Sequence, residues 1–188
     1  AVKSCPDAHY LEVAQRMLCG FDVSNSTEYE SLHSNLDGKL ISVTSPELSI
    51  NHDGFTSRGN ATVITVDSQV QLNQFVSQNT QLPYVLRIQG SDLLKDLAPA
   101  DAAYFPESRF GFTLEEVRQV LQQPAVKATP PSGFHVHHGS EENQVSTFTA
   151  MIQGLKLLAD TQVVEPALIN LGGGWDELTR EEISDVLT

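Results

Sequence analysis

Short apolar runs rich in β-branched residues alternate with helix-periodic stretches along the whole chain. No other feature narrows the fold as far, because a parallel sheet with crossover helices follows from that rhythm. The expected strands are residues 1–4, "GFDV" at 20–23, "KLISVT" at 39–44, "ATVITV" at 61–66, "YVLRIQ" at 84–89, "GFHVHH" at 133–138 and "ALINL" at 167–171. The expected helices are 7–18, 26–36, a short one from Pro46, 67–79, 113–123, 141–160 and one starting near Thr179. Several carry start signals: Pro6 and Asp7 before the first, Asp67 or Ser68 before the fourth, and a TxxE box from Thr113 to Glu116. Seven βα units result.

Two architectures accept that pattern, a doubly wound sheet and a (β/α)8 barrel. A dinucleotide-binding sheet wants a GxGxxG turn after its first strand. Here that turn is "KSCPDAH", without glycine, and three glycines fall at 172–174, after the last expected strand. That placement suits a barrel, where anion sites often sit in the last βα loops. The expected fold is therefore α/β, an incomplete (β/α)8 TIM barrel of about seven units. A length of 188 residues fits one such domain, 1–188, truncated at both ends.

Charge and cysteine content bound the partners. A net charge of −13 argues against nucleic acid, which needs a basic face. No apolar run approaches the ~20 residues of a membrane-spanning helix. The two cysteines, Cys5 and Cys19, form no CxxC pair and point to a reducing, cytoplasmic setting.

Barrel chemistry sits at the C-terminal ends of strands. The residues expected there are Lys3, Asp22, Arg87, His135, His137, Gly139, Ser140, Gly172, Gly173 and Gly174. Each has a plain alternative. Lys3 alone reads as solvated surface, Asp22 as a helix cap, Arg87 as half of an ion pair. In "HVHH", His135 and His137 fall on one side of a strand, and His138 on the other. Such histidines could be core residues or, with a carboxylate, zinc ligands. "GGG" could be a loose turn, or a row of amides able to approach an anion.

In order and spacing, five segments resemble the fold-type III pyridoxal-phosphate amino acid decarboxylases: the diaminopimelate, ornithine and arginine decarboxylase group, with its alanine racemase-like barrel. "AVKSCP" is similar to the family's lysine motif. "GFDVSNSTE" resembles the segment after strand two, with Asp22 and Glu28 at its marked positions. "SRFGF" resembles a basic-Phe-Gly motif, "FHVHHGS" the His-x-Gly-Ser strand, and "LGGGW" the phosphate loop. The resemblance implies pyridoxal 5′-phosphate as cofactor, held as a Schiff base on Lys3. It implies His137 against the cofactor ring. Ser140 and the amides of Gly172, Gly173 and Gly174 would then hold the phosphate. Arg87 and Asp22 would line the pocket, with Glu28 in support. A small amino acid substrate, basic or diamino or a conjugate of one, and a homodimer in the full-length protein follow by the same resemblance.

The chain departs from the family pattern in places. Cys5 stands where Asn is usual, and "WDELT" follows the glycines where Phe-Pro-Gly is common. The Glu-Pro-Gly-Arg strand that pairs the pyridine nitrogen, and the β domain after it, have no counterpart in these 188 residues. The chain alone is therefore expected to be inactive. The rival readings are a pyridoxal-phosphate racemase or aldolase, a cofactor-binding pseudoenzyme, and a metal-dependent barrel hydrolase built on "HVHH".

Overall fold

The computed structural model describes residues 1–32, 35–47, 52–78, 80–95, 109–137, 139, 144–162, 164–176 and 178–187. Among them it has six strands: β1 Gly20–Val23, β2 Leu40–Val43, β3 Ala61–Val66, β4 Tyr84–Ile88, β5 Gly133–Val136 and β6 Leu168–Asn170. Its helices are α1 Ala8–Met17, α2 Ser26–Ser31, α3 Gln69–Ser77, α4 Gly90–Leu94, α5 Leu114–Gln122, α6 Pro124–Ala128, α7 Val145–Gln162 and α8 Arg180–Leu187. Among the described residues no helix is long and apolar enough to cross a membrane.

The chain divides into two compact units, and β4 contributes to both. The first comprises Ala1–Val66 and Val70–Val85, the second Asp67–Gln69 and Leu86–Thr188. In the first, β1 pairs with β2 and β2 with β3, all parallel and in register from Gly20↔Leu40 to Val43↔Ile64. The start of β4 continues the order beside β3, where the Ile64 N–H donates to the Pro83 carbonyl at 3.0 Å. Val23, Ile41, Val43, Val63 and Tyr84 of the strands and Leu72 of α3 are buried there. Phe75 of α3 meets the Tyr84 ring at 4.9 Å. Arg58 closes the C-terminal end of α2, donating from Nη1 to the carbonyls of Tyr29 (2.9 Å) and Leu32 (3.0 Å) while its guanidinium lies 4.6 Å from the Tyr29 ring centre.

In the second unit the end of β4 is followed in the sheet by β5 and then β6, the last two parallel with Gly133 opposite Leu168. Helix α7 packs against α4, α5 and α8. It buries Phe148, Met151 and Leu155, which with Phe134, Val136 and Val117 make this core. Each such side chain contributes on the order of 1.5–3 kcal/mol by leaving water. Gly111 (φ +91°) runs beside β4, where a Cβ would lie 2.9 Å from the Ile88 carbonyl carbon. That absence of a side chain admits the Phe112 strand bridge to Ile88.

Start signals read from the sequence operate as expected. Asp7 accepts the Tyr10 N–H of α1 at 3.0 Å. Thr113 and Glu116 form a full capping box on α5, and Thr179 and Glu182 exchange the equivalent bonds on α8. Four expectations are corrected. Residues 1–4 are not a strand: Val2–Ser4 form a 3-10 turn, with Ser4 and Cys5 N–H groups bonded back to the Ala1 and Val2 carbonyls at 3.2 and 3.1 Å. Their donors are spent locally, and only Val2 is buried, so little burial is available to hold a strand in a ladder. The described residues therefore hold six strands rather than seven. Helix α2 stops at Ser31 instead of 36, because Arg58 takes its terminal carbonyls. The expected sixth strand ends at Val136, one residue before His137. Two short helices, α4 and α6, were not foreseen, having too few residues for a periodic signal. The helix expected from Pro46 falls largely on 48–51, outside the described residues; a 3-10 turn follows at His52–Thr56.

Candidate functional site

Residues expected at strand ends occur in three groups, each within one unit. The first group belongs to the first unit. Lys3 is exposed on the 3-10 turn, which lies beside β1 and is anchored by Val2. Asp22 is in β1, and Thr44 directly follows β2. The Thr44 hydroxyl is 3.1 Å from Asp22 Oδ1 and 3.1 Å from the hydroxyl of Thr65 in β3. A hydroxyl has one proton to give and a carboxylate can only accept. Thr44 therefore donates to Asp22, and Thr65 donates to Thr44. The result is a hydrogen-bonded row across three strands that holds the Asp22 carboxyl in place. Thr44 and Thr65 were missed in the sequence; the available signal was a β-branched hydroxyl residue at or near two successive strand ends.

Glu28 has a local role in the described structure. It sits in the first turn of α2, where Asn25 caps its N–H at 2.9 Å and its own Oε2 accepts the Ser24 N–H at 2.8 Å. That is reciprocal helix capping.

The second group is in the second unit and surrounds Arg87 of β4. Its guanidinium lies 5.0 Å from the Phe110 ring centre, and Arg109 approaches the same ring at 4.7 Å. These are cation–π distances. The "SRFGF" segment thus places an aromatic ring beside Arg87. Asp67, at the residue after β3, carries the opposing charge. Burial pushes its carboxyl up from 3.8, against the lowering influence of Arg87 and of a Ser68 side-chain hydrogen bond. The sequence offered Asp67 only as a helix cap.

That shift has a testable sign. A raised pKa means that the folded state binds the Asp67 proton more tightly than the unfolded chain. The stabilisation is complete below the unfolded value and is lost as pH rises through the folded value. Asp67→Asn is neutral throughout. It should match the wild type in acid and gain on it as pH rises above the ordinary carboxylate value of 3.8 in urea-midpoint measurements. A variant losing ground over that range would show that the Arg87 attraction, not burial, governs this carboxyl.

The third group joins the ends of β5 and β6. His135 lies within β5 and is buried. His137 directly follows the strand, and its Nδ1 accepts the Gly173 N–H at 3.3 Å. An accepting Nδ1 places the neutral imidazole's proton on Nε2. Gly172, at φ +72°, is so close to the ring that a Cβ would lie 2.5 Å from Nδ1. Its own N–H goes to Asn170 Oδ1 at 2.9 Å. Gly174 also has positive φ, +89°. The Trp175 indole N–H donates to the Gly172 carbonyl at 3.0 Å, and its ring stacks on Phe148 at 3.8 Å and 19°. Ser140 and His138 lie outside the described residues. Among the described residues no group of three His, Cys, Asp or Glu side chains comes together as a metal site.

The donor set suits a phosphorylated heteroaromatic cofactor. Glycine backbone with alternating positive φ is the geometry of an anion-binding nest. At Gly172 it is pressed against the His137 imidazole with no room for a side chain between them, and Arg87 supplies a cation in the same unit.

Comparisons with known proteins point to a cofactor of that kind. Residues 1–186 match the family model described as "Pyridoxal-dependent decarboxylase, pyridoxal binding domain". A curated relative, decarboxylase flvG of Aspergillus flavus, is 24% identical over 179 residues, covering 93% of this chain and 40% of that protein. Among solved structures, the Paramecium bursaria Chlorella virus arginine decarboxylase bound to agmatine superposes with a TM-score of 0.69 at 20% identity, over 99% of this chain and 51% of that one. Ornithine decarboxylase from Entamoeba histolytica gives 0.61 at 19% identity, over 99% and 50%. Lysine/ornithine decarboxylase from Vibrio vulnificus, complexed with cadaverine, gives 0.64 at 16% identity, over 86% and 40%. These likenesses show the fold, an α/β incomplete TIM barrel. The chain spans about half the length, or less, of the relatives it matches.

Proposed function

Because the chain belongs to the pyridoxal-dependent decarboxylases through their pyridoxal-binding domain, we propose that it holds pyridoxal phosphate at the strand ends and serves decarboxylation of a basic or diamino acid, or a conjugate of one. The observation that carries this reading is the Gly172–Gly173 backbone set against the His137 imidazole. A glycine loop with no room for a side chain at Gly172, beside an imidazole, is suited to a phosphate and an aromatic ring in close succession.

Each residue has a proposed task. Lys3 is the covalent anchor. The amides of Gly172, Gly173 and Gly174, with the Ser140 hydroxyl, take the phosphate. His137 faces the cofactor ring. Asp22 and Arg87 line the pocket, Asp22 held by the Thr44–Thr65 row and Arg87 by Phe110. The cofactor, once bound, supplies the electron sink for the charge left on the substrate when carbon dioxide departs. The choice of a basic or diamino substrate is supported by relatives that are arginine, ornithine and lysine decarboxylases. A net charge of −13 has the sign that draws cationic substrates. The whole protein is proposed to be a cytoplasmic homodimer, and these 188 residues to bind cofactor without turning over substrate.

The test combines binding and turnover. Purified chain with added pyridoxal phosphate should develop a visible absorbance band. It should release no carbon dioxide from arginine, ornithine, lysine or diaminopimelate. Absence of the band would remove the binding reading. Release at ordinary enzyme rates, roughly 1–1,000 per second, would show that the chain suffices alone.

A further inference from the structure

The Gly172 carbonyl and the Gly173 N–H are the two ends of one peptide unit. That unit is held at both ends: Trp175 Nε1 donates to the carbonyl at 3.0 Å, and His137 Nδ1 accepts the N–H at 3.3 Å. A trans peptide is planar and its C=O and N–H point in opposite directions, so fixing one aims the other. The indole is itself fixed, stacked at 3.8 Å on Phe148, which is fully buried on α7. Asn170 secures the preceding N–H at 2.9 Å. The glycines on their own would leave this peptide free to rotate, since glycine populates both signs of φ.

We propose that Trp175 is a positioning residue for the phosphate of the cofactor. It acts through the Gly172 carbonyl and sets the direction of the Gly173 N–H, a donor that an incoming phosphate must share with His137 or take from it. The inference rests on the pyridoxal-phosphate reading and assigns the grip of the loop to a side chain that need not touch the ligand. A purely packing role for Trp175 would change stability and leave the discrimination between phosphorylated and unphosphorylated ligands alone. A positioning role changes that discrimination.

Trp175→Phe separates the two, because phenylalanine retains an aromatic ring for Phe148 and has no N–H. Equilibrium dialysis of the full chain with pyridoxal phosphate and with pyridoxal gives a ratio of affinities. In the wild type the ratio should favour the phosphorylated form. In Trp175→Phe, affinity for pyridoxal phosphate should fall about three- to tenfold, the loss expected for one orienting hydrogen bond. Affinity for pyridoxal should stay within twofold, by the same measure. An unchanged ratio overturns the inference while leaving the cofactor reading intact. A wild type that binds neither ligand, or both equally, overturns the cofactor reading and the inference with it. If the variant does not fold, hydrogen exchange of the Trp175 indole N–H in the wild type decides: slowed exchange supports the carbonyl bond, and exchange at the rate of a free indole refutes it.

Discussion

Borohydride reduction of the chain with pyridoxal phosphate should leave the pyridoxyl group on Lys3, and Lys3→Ala should abolish the labelling completely. The expected effect is all-or-none because covalent attachment needs an amine that no other residue supplies at that place. Of the four other lysines, Lys156 is exposed on α7, and three are engaged in hydrogen bonds. Lys39 donates from Nζ to the Leu18 carbonyl at 2.5 Å, Lys127 to Gln122 Oε1 at 2.7 Å, and Lys95 to Asp92 Oδ1 at 2.6 Å. Each would have to break a hydrogen bond before reacting. Lys3 is held differently: it is exposed, on a turn fixed by two backbone hydrogen bonds and by the buried Val2. The turn restrains the backbone while the long side chain stays mobile enough to meet a ligand. Peptide mapping after reduction gives the answer directly. Label found on Lys39 or Lys127, or retained in full by Lys3→Ala, would move the anchor elsewhere.

Gly172→Ala should have the next largest effect, and Gly173→Ala is its internal control. At Gly172 a side chain meets two obstacles. Its φ of +72° lies in the left-handed region, which costs a non-glycine residue about 1–2 kcal/mol. Its Cβ would also fall 2.5 Å from His137 Nδ1 and 2.9 Å from both Cβ and Cγ of that ring. The imidazole would have to move, taking with it the acceptor of the Gly173 N–H. Pyridoxal phosphate affinity should drop at least tenfold, about 1.4 kcal/mol or more, with a parallel fall in the urea midpoint. At Gly173 the nearest atom to a new Cβ is His137 Cε1 at 3.9 Å, an ordinary contact. Gly173→Ala should therefore keep its stability within about 0.5 kcal/mol of the wild type. Equal stability losses at the two positions would mean that the loop is sensitive to any added bulk, and that the proximity to His137 decides nothing.

What could be read in advance followed the range of the interaction. Helix starts at Asp7, Thr113 and Thr179 depend on partners three residues away, so the sequence carries the whole arrangement. The strands announced themselves by short runs rich in apolar and β-branched residues, most fully β3 and β4, which are buried along nearly their whole length. Residues 1–4 misled because composition describes preference, while a strand also needs a ladder; here the N–H groups closed on their own turn. At Glu28 the structure adds a local role, the capping of α2. In the candidate site the residue types were readable and the relations were not. His137 and Gly173 are 36 positions apart, and their bond exists only once β5 and β6 are neighbours. Thr44 and Thr65 became visible for the same reason, once neighbouring strands brought the Thr44 hydroxyl to Asp22 and the Thr65 hydroxyl to Thr44.

The stack of Trp175 on Phe148 also gives the protein an optical character. The chain has one tryptophan, and that tryptophan is bonded to the glycine loop. Light absorbed at the red edge of the protein spectrum is therefore absorbed beside Gly172, and the emission that follows comes from a single, known location. Any event that displaces the Gly172 carbonyl alters the surroundings of the only indole in the molecule. The fold carries its own lamp at the loop, and its colour and intensity follow the loop without any label being attached.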